Sequence, residues 1–177
     1  VISEFRQQIS VIFQDYAKYN LSAQDNIWLG NIQLPPNSDL SSAAKQSGAH
    51  EVIEHLPDGY DTILGKLFAR GEELSIGQWQ KVALARAFLR KSQVIVLDEP
   101  TRAMDPKAEY EVFKRFKELI EDQAAILITH RLSTVKMADR IYVMEHGKIV
   151  ESGSHDELMG QQRLYANLFE TQARNYR

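Results

Sequence analysis

The 177-residue chain contains no cysteine. That excludes disulfides, thiolate metal ligands and thiol nucleophiles, and it fits a reducing compartment. No apolar run approaches the roughly 18 residues of a membrane span. There is no basic excess, since the formal net charge is -3, so nothing marks the chain as a nucleic-acid binder. Internal repeats and low-complexity segments are also missing. The opening residues, Val1-Ile2-Ser3-Glu4-Phe5-Arg6, carry neither an initiator Met nor a signal-peptide pattern, and the chain is expected to begin inside a longer protein. The phosphate-binding pattern G-x-x-x-x-G-K-S/T does not occur. The stretch from Gly59 to Lys66 imitates it, but has one residue too many between its glycines, and Leu67 follows the lysine.

What remains is an ordinary globular composition, 44% hydrophobic and 25% charged, with enough length for one domain with a real core. Residues 9–13 read as a short buried strand. Residues 22–29 and 41–55 read as helices, separated by the breaker Pro35-Pro36-Asn37-Ser38, and Pro57-Asp58-Gly59 reads as a turn. Residues 75–90 are apolar nearly all round, which predicts a largely buried helix. The run Val94–Leu97 predicts a strand buried on both faces, as in a parallel sheet. Asp105-Pro106 opens a helix whose apolar stripe is Ala108, Val112, Phe113, Phe116, Leu119 and Ile120. Residues 124–129 predict another buried strand, and 140–145 with 148–151 a strand pair turning at His146-Gly147. Short helices near 154–159 and 163–174 follow. Strand and helix alternate in the second half, so the class is α/β with a mostly parallel sheet. Residues 20–90 form a mainly helical insertion.

Four short motifs carry candidate chemistry. Gln14 follows a strand, Leu74-Ser75-Ile76-Gly77-Gln78 opens a helix, Asp98-Glu99-Pro100-Thr101 follows a strand with Asp105 soon after, and His130 follows another strand. Ligands of open α/β sheets bind outside the carboxyl ends of the strands, which places Gln14, Asp98, Glu99 and His130 on one rim. Each motif also has a purely structural reading. Ser75 and Gln78 form an S-x-x-Q capping box, yet the same helix N-terminus suits a phosphate, and Gly77 permits close approach. Asp98 and Glu99 could simply end a strand at solvent; alternatively one holds a metal and the other orients and deprotonates a water. Asp105 is a good N-cap, and His130 and Gln14 could be polar strand ends. His50, His55, His146 and His155 have no metal-like partners in the sequence and read as surface or packing residues.

Taken together, these residues resemble the nucleotide-binding domains of ABC transporters over almost the whole chain. Phe13-Gln14-Asp15 looks like the Q-loop, and Leu74 to Gln78 like the signature motif, running on through Gln80-Lys81-Val82-Ala83-Leu84-Ala85-Arg86-Ala87. Val94 to Glu99 resembles Walker B, Asp105 the D-loop aspartate, and Thr129-His130-Arg131 the switch histidine region. The stretches Leu56 to Thr62 and Gly147 to Leu158 are similar to the exporter branch. Two positions depart from the family pattern. Ile76 stands where a glycine is usual, and Arg102-Ala103-Met104 precede Asp105 in place of small residues.

The resemblance implies a P-loop NTPase (RecA-like) parallel-sheet core, represented by its C-terminal part, with an inserted α-helical subdomain. The implied division is 1–19 for the end of the ATP-binding core, 20–90 for the helical subdomain, and 91–177 for the catalytic core. It further implies an ATPase that uses ATP and Mg2+ and powers an exporter from the cytoplasmic side of the cell membrane. Glu99 would be the general base, His130 a γ-phosphate contact, and Asp98 and Gln14 the metal ligands. Ser75, Gly77, Gln78 and Asp105 would bind nucleotide across a head-to-tail dimer with a second nucleotide-binding domain. The other partner would be the transmembrane domain, on the same or a separate chain, with no nucleic acid. The resemblance puts the Walker A loop upstream of Val1, so this chain alone is expected to be inactive. Two rivals stand beside this reading: a non-catalytic fragment, and a soluble ABC protein of translation or DNA repair. The exporter-like tail from Gly147 to Leu158 argues against the second.

Overall fold

A computed structural model of the chain describes residues 2–67, 70–90, 92–99, 110, 113, 114, 117 and 123–175. Of the helix expected from Asp105, residues 110, 113, 114 and 117 are among the described residues, each helical, and Phe113 is buried.

Short runs of aliphatic residues make the strands of a first unit, Val1–Ile128. Helix α1 (Ile2–Gln7) leads into β1 (Ile9–Ile12), and β2 (Val94–Asp98) and β3 (Ala124–Ile128) come later in the chain. They form one parallel sheet in the order β1-β2-β3, with Val11, Val96 and Ile126 in one row. Parallel neighbours need a long crossover, and between β1 and β2 that crossover is helical. Side chains alternate across the sheet. Ser10, Ile12, Ile95 and Leu97 are buried, on the face where Ser10 Oγ donates to the Ala87 carbonyl at 3.5 Å. On the other face Val11 is 43% and Ile126 54% exposed.

Two expectations are corrected here. Val94–Leu97 is not buried on both sides, because Val94 and Val96 are only half-buried. The strand expected at 124–129 forms as β3 but is largely exposed. An apolar run predicts a strand; its burial depends on what covers each face and edge, and among the described strands β3 pairs only with β2.

The crossover holds α2 (Ala23–Trp28), α3 (Ser41–Ser47), α4 (Ala49–Ile53), a single 3-10 turn (Gly59–Asp61) and α5 (Ile76–Leu89). Ile27, Leu40, Ala44, Ile53, Leu64, Trp79, Val82 and Ala85 form their shared core. The single helix expected at 41–55 is two. Gly48 sits at φ +73° between α3 and α4, a left-handed conformation that glycine adopts cheaply and that ends a helix. As expected, α5 buries residues on several faces, among them Trp79, Val82, Leu84, Ala85, Ala87 and Leu89.

Arg86 of α5 ties the crossover together. It donates from Nε to the Asn26 carbonyl (2.7 Å), from Nη1 to the Ala17 carbonyl (2.6 Å) and from Nη2 to Asn26 Oδ1 (2.5 Å). Burial lowers its pKa, but a guanidinium stays charged at neutral pH, so carbonyl dipoles balance the cation. Gly30 lies against the same turn. A Cβ there would fall on the Arg86 carbonyl oxygen, inside van der Waals contact with helix backbone. Gly30→Ala is therefore expected to destabilise the protein by roughly 1–3 kcal/mol, the usual cost of overpacking. Urea unfolding checks it, and an unchanged midpoint would show that α5 shifts freely.

The second unit, Thr129–Arg177, begins with α6 (Leu132–Val135) and continues with an antiparallel pair, β4 (Ile141–Glu145) and β5 (Lys148–Gly153). His146 (φ 49°) and Gly147 (φ 75°) make the turn between them, the two positive φ values of a tight hairpin whose twist matches its strands. Helices α7 (His155–Gln161) and α8 (Leu164–Asn175) follow. Ser154 and Glu157 form a capping box on α7. The Glu151 carboxylate of β5 accepts the first backbone N–H groups of α8, from Leu164 at 2.7 Å and Tyr165 at 3.1 Å. Ile141, Val143, Leu158 and Tyr165 make this unit's core.

Candidate functional site

The end of β1, the start of α5 and the end of β2 meet in the first unit around a cleft of about 460 Å³ lined by Gln14, Asp15, Tyr16, Lys18, Ile76, Gln80 and Glu99. The chain turns at Gln14 and Asp15 just after β1. Tyr16 then reaches α5, its hydroxyl donating to the Ile76 carbonyl at 2.9 Å. Burial raises the Tyr16 phenol above its ordinary pKa, partly offset by the positive charge of Arg86, which keeps it a donor. Lys18 places its ammonium 5.9 Å from the Trp79 ring centre.

Asp98 is the last residue of β2, half-buried and opposite Ile128 in register. Glu99 follows at φ 44°, and its N–H donates to the Ile128 carbonyl at 2.9 Å. A left-handed backbone is uncommon for a residue other than glycine and costs on the order of 1–3 kcal/mol, so it persists where neighbours hold it. Here β3 holds it, and the half-buried carboxylate lines the cleft with Gln14.

The structure thus brings Gln14 and Glu99 together. The lining does not include Asp98, which precedes Glu99 at the end of β2, nor Ser75, Gly77 or Gln78. Ser75 N donates to Gln78 Oε1 (2.8 Å) and Gln78 N to Ser75 Oγ (3.3 Å), the full capping box read from the sequence. A Cβ on Gly77 would meet nothing within 4 Å, so the fold itself does not require glycine there. Ile76 is 60% exposed. His130 belongs to the second unit, exposed, its carbonyl accepting from Gln172 Nε2 at 2.7 Å. Asp105 lies outside the described residues.

The other histidines are local. His50 pairs with the Tyr60 hydroxyl, His55 with the Glu51 carbonyl, and His155 with the Tyr165 hydroxyl. Among the described residues no three His, Asp or Glu side chains are grouped to hold a metal.

Three residues of the cleft, Tyr16, Lys18 and Gln80, have no role read from the sequence. Tyr16 had no local signal, since its partner is far along the chain. Gln80 had one, a polar residue inside an apolar helix. It is only 3% exposed, and its Oε1 has no hydrogen-bond partner among the described residues. An unmade buried hydrogen bond costs about 1–3 kcal/mol.

The chain matches the ABC transporter family model over residues 1–102. It is 42% identical over 175 residues to the ATP-dependent lipid A-core flippase of Acinetobacter baylyi, covering 99% of this chain and 29% of that protein. It is 41% identical over 169 residues to the alpha-hemolysin translocation ATP-binding protein of Escherichia coli, covering 95% and 23%. A bacterial Atm1-family ABC exporter solved with ATP bound superposes with a TM-score of 0.87 at 32% identity, over 97% of this chain and 29% of that one. The parallel sheet with its helical crossover is therefore a P-loop NTPase fold of the nucleotide-binding kind. The chain belongs to the ABC transporter family, as a segment homologous to the ATP-binding domains of exporters. It spans under a third of the length of these relatives, and among its described residues no helix is long and apolar enough to cross a membrane.

Proposed function

We propose that this chain supplies part of the ATP-hydrolysing machinery of an exporter-type ABC transporter, working on the cytoplasmic side of the cell membrane. The observation that carries this reading is the cleft that joins Gln14 to Glu99 beside Asp98, in a chain of this family. Asp98 and Gln14 offer a carboxylate and an amide oxygen. Such hard donors suit Mg2+, which keeps waters and substrate phosphates as its other ligands. When bound, Mg2+ would neutralise charge developing on the terminal phosphates. Glu99 takes the proton of the attacking water, its main chain fixed by the N–H bond to the Ile128 carbonyl of β3. His130 contacts the γ-phosphate. Ser75, Gly77 and Gln78 present the N-terminus of α5 to the phosphate of a second, head-to-tail domain, and Asp105 lies at that same interface.

The functional division runs through residues 1–19, 20–90 and 91–177. It is supported by the buried cluster confined to Ala23–Leu89. The helical part, hinged at Gln14, meets the transmembrane domain and passes closure to it. The complete transporter is expected to hydrolyse ATP only with a divalent cation present. Turnover should fall to background on chelation with EDTA and return with added Mg2+. Undiminished turnover in EDTA would overturn the metal assignment.

A further inference from the structure

Resting on that reading, we propose that Gln80 is a positioning residue for Gln14: its buried amide oxygen accepts a hydrogen bond from the Gln14 side-chain amide, directly or through one water, and so turns the Gln14 oxygen toward the metal. Gln80 lies outside the signature motif and has no role in the chemistry described above. Three observations converge on it. It is 3% exposed, and its Oε1 lacks a partner among the described residues. Gln80 and Gln14 line the same cleft. The Tyr16 hydroxyl, two residues after Gln14, bonds to the carbonyl of Ile76, one turn of α5 before Gln80. The segment carrying Gln14 is thus fastened beside Gln80.

The donor follows by elimination among the lining side chains. The carboxylates of Asp15 and Glu99 are acceptors. The Tyr16 hydroxyl is already committed to Ile76. Lys18 is exposed, its ammonium 5.9 Å from the Trp79 ring centre, and drawing it onto a buried amide would bury a charge without a counter-charge. Gln14 remains, and the pairing has a chemical logic. An amide that gives its oxygen to a cation leaves two N–H donors to be satisfied, and a neutral acceptor does this without adding charge. Outer partners of this kind commonly set metal affinity by orienting the ligand.

The test is the Mg2+ dependence of binding of a non-hydrolysable ATP analogue to the complete transporter, titrated without turnover. Gln14→Ala should raise the half-saturating Mg2+ concentration. Gln80→Met, similar in shape but without the acceptor, should raise it by about tenfold or more. The Gln14→Ala/Gln80→Met double variant should match Gln14→Ala alone. Gln80→Leu serves if the Met variant does not fold. If Gln14→Ala shifts the curve and neither Gln80→Met nor Gln80→Leu does, the inference is wrong. The same holds if Lys18→Ala, and not Gln14→Ala, matches the Gln80 effect. If even Gln14→Ala shifts nothing, the metal role of Gln14 falls first and this inference with it.

Discussion

Glu99→Gln in the complete transporter should leave ATP binding nearly intact and slow hydrolysis by about 10²-fold or more, the usual cost of losing a general base. The substitution keeps the size and planarity of the side chain and removes only its basicity. The surroundings should hold it in place, since the anchor is backbone: the N–H of residue 99 donates to the Ile128 carbonyl at 2.9 Å whatever the side chain is. The left-handed φ of 44° is likewise a property of the chain path at the end of β2. Glutamine meets the same backbone cost there as glutamate, so folding stability should change little. Equilibrium binding of ATP and pre-steady-state hydrolysis on the same preparation separate the two effects. Hydrolysis near the wild-type rate would remove Glu99 as the base and leave His130 as the next candidate.

Much of this was legible in the sequence, wherever the signal is local. The capping box at Ser75 and Gln78 needs only two residues at fixed spacing, and both of its bonds form. The turn at His146-Gly147 needs two residues that tolerate positive φ. Gly48 is also a local signal, and its left-handed turn divides the helix expected at 41–55. The burial of β3 was not legible, because the apolar run Ala124–Ile128 is the same whether or not another layer covers it. Contacts between distant residues were not legible either. Nothing near Tyr16 shows that its hydroxyl ends on Ile76, and nothing near Arg86 shows that it clasps Ala17 and Asn26. The motifs therefore marked the candidate chemistry, while the side chains that hold Gln14 and α5 against each other came only from the fold.

Ser75→Arg should abolish ATP-driven dimerisation and turnover while sparing ATP binding to the single subunit. Ser75 is exposed and caps α5 through the N–H of Gln78. Losing that cap costs about 0.5–2 kcal/mol, so a modest drop in melting temperature is part of the expected result. The larger effect is steric and electrostatic. The turn at Gly77 is open, with nothing within 4 Å of where a Cβ would stand, which leaves room for a phosphate to approach backbone N–H groups. A long side chain at position 75 would fill that room. The cleft that joins Gln14 to Glu99 is lined by Ile76 but not by Ser75, so which subunit supplies the phosphate is a matter for experiment. A mixed dimer decides the point. One subunit carries Ser75→Arg, and the other carries a substitution of the phosphate-loop lysine of the complete protein. If Ser75 acts across the interface, both lesions fall on one composite site and the second site stays whole. Single-turnover hydrolysis then consumes one ATP per dimer. If Ser75 acts within its own subunit, each site carries one lesion and no ATP is consumed. The second outcome would end the head-to-tail arrangement proposed here.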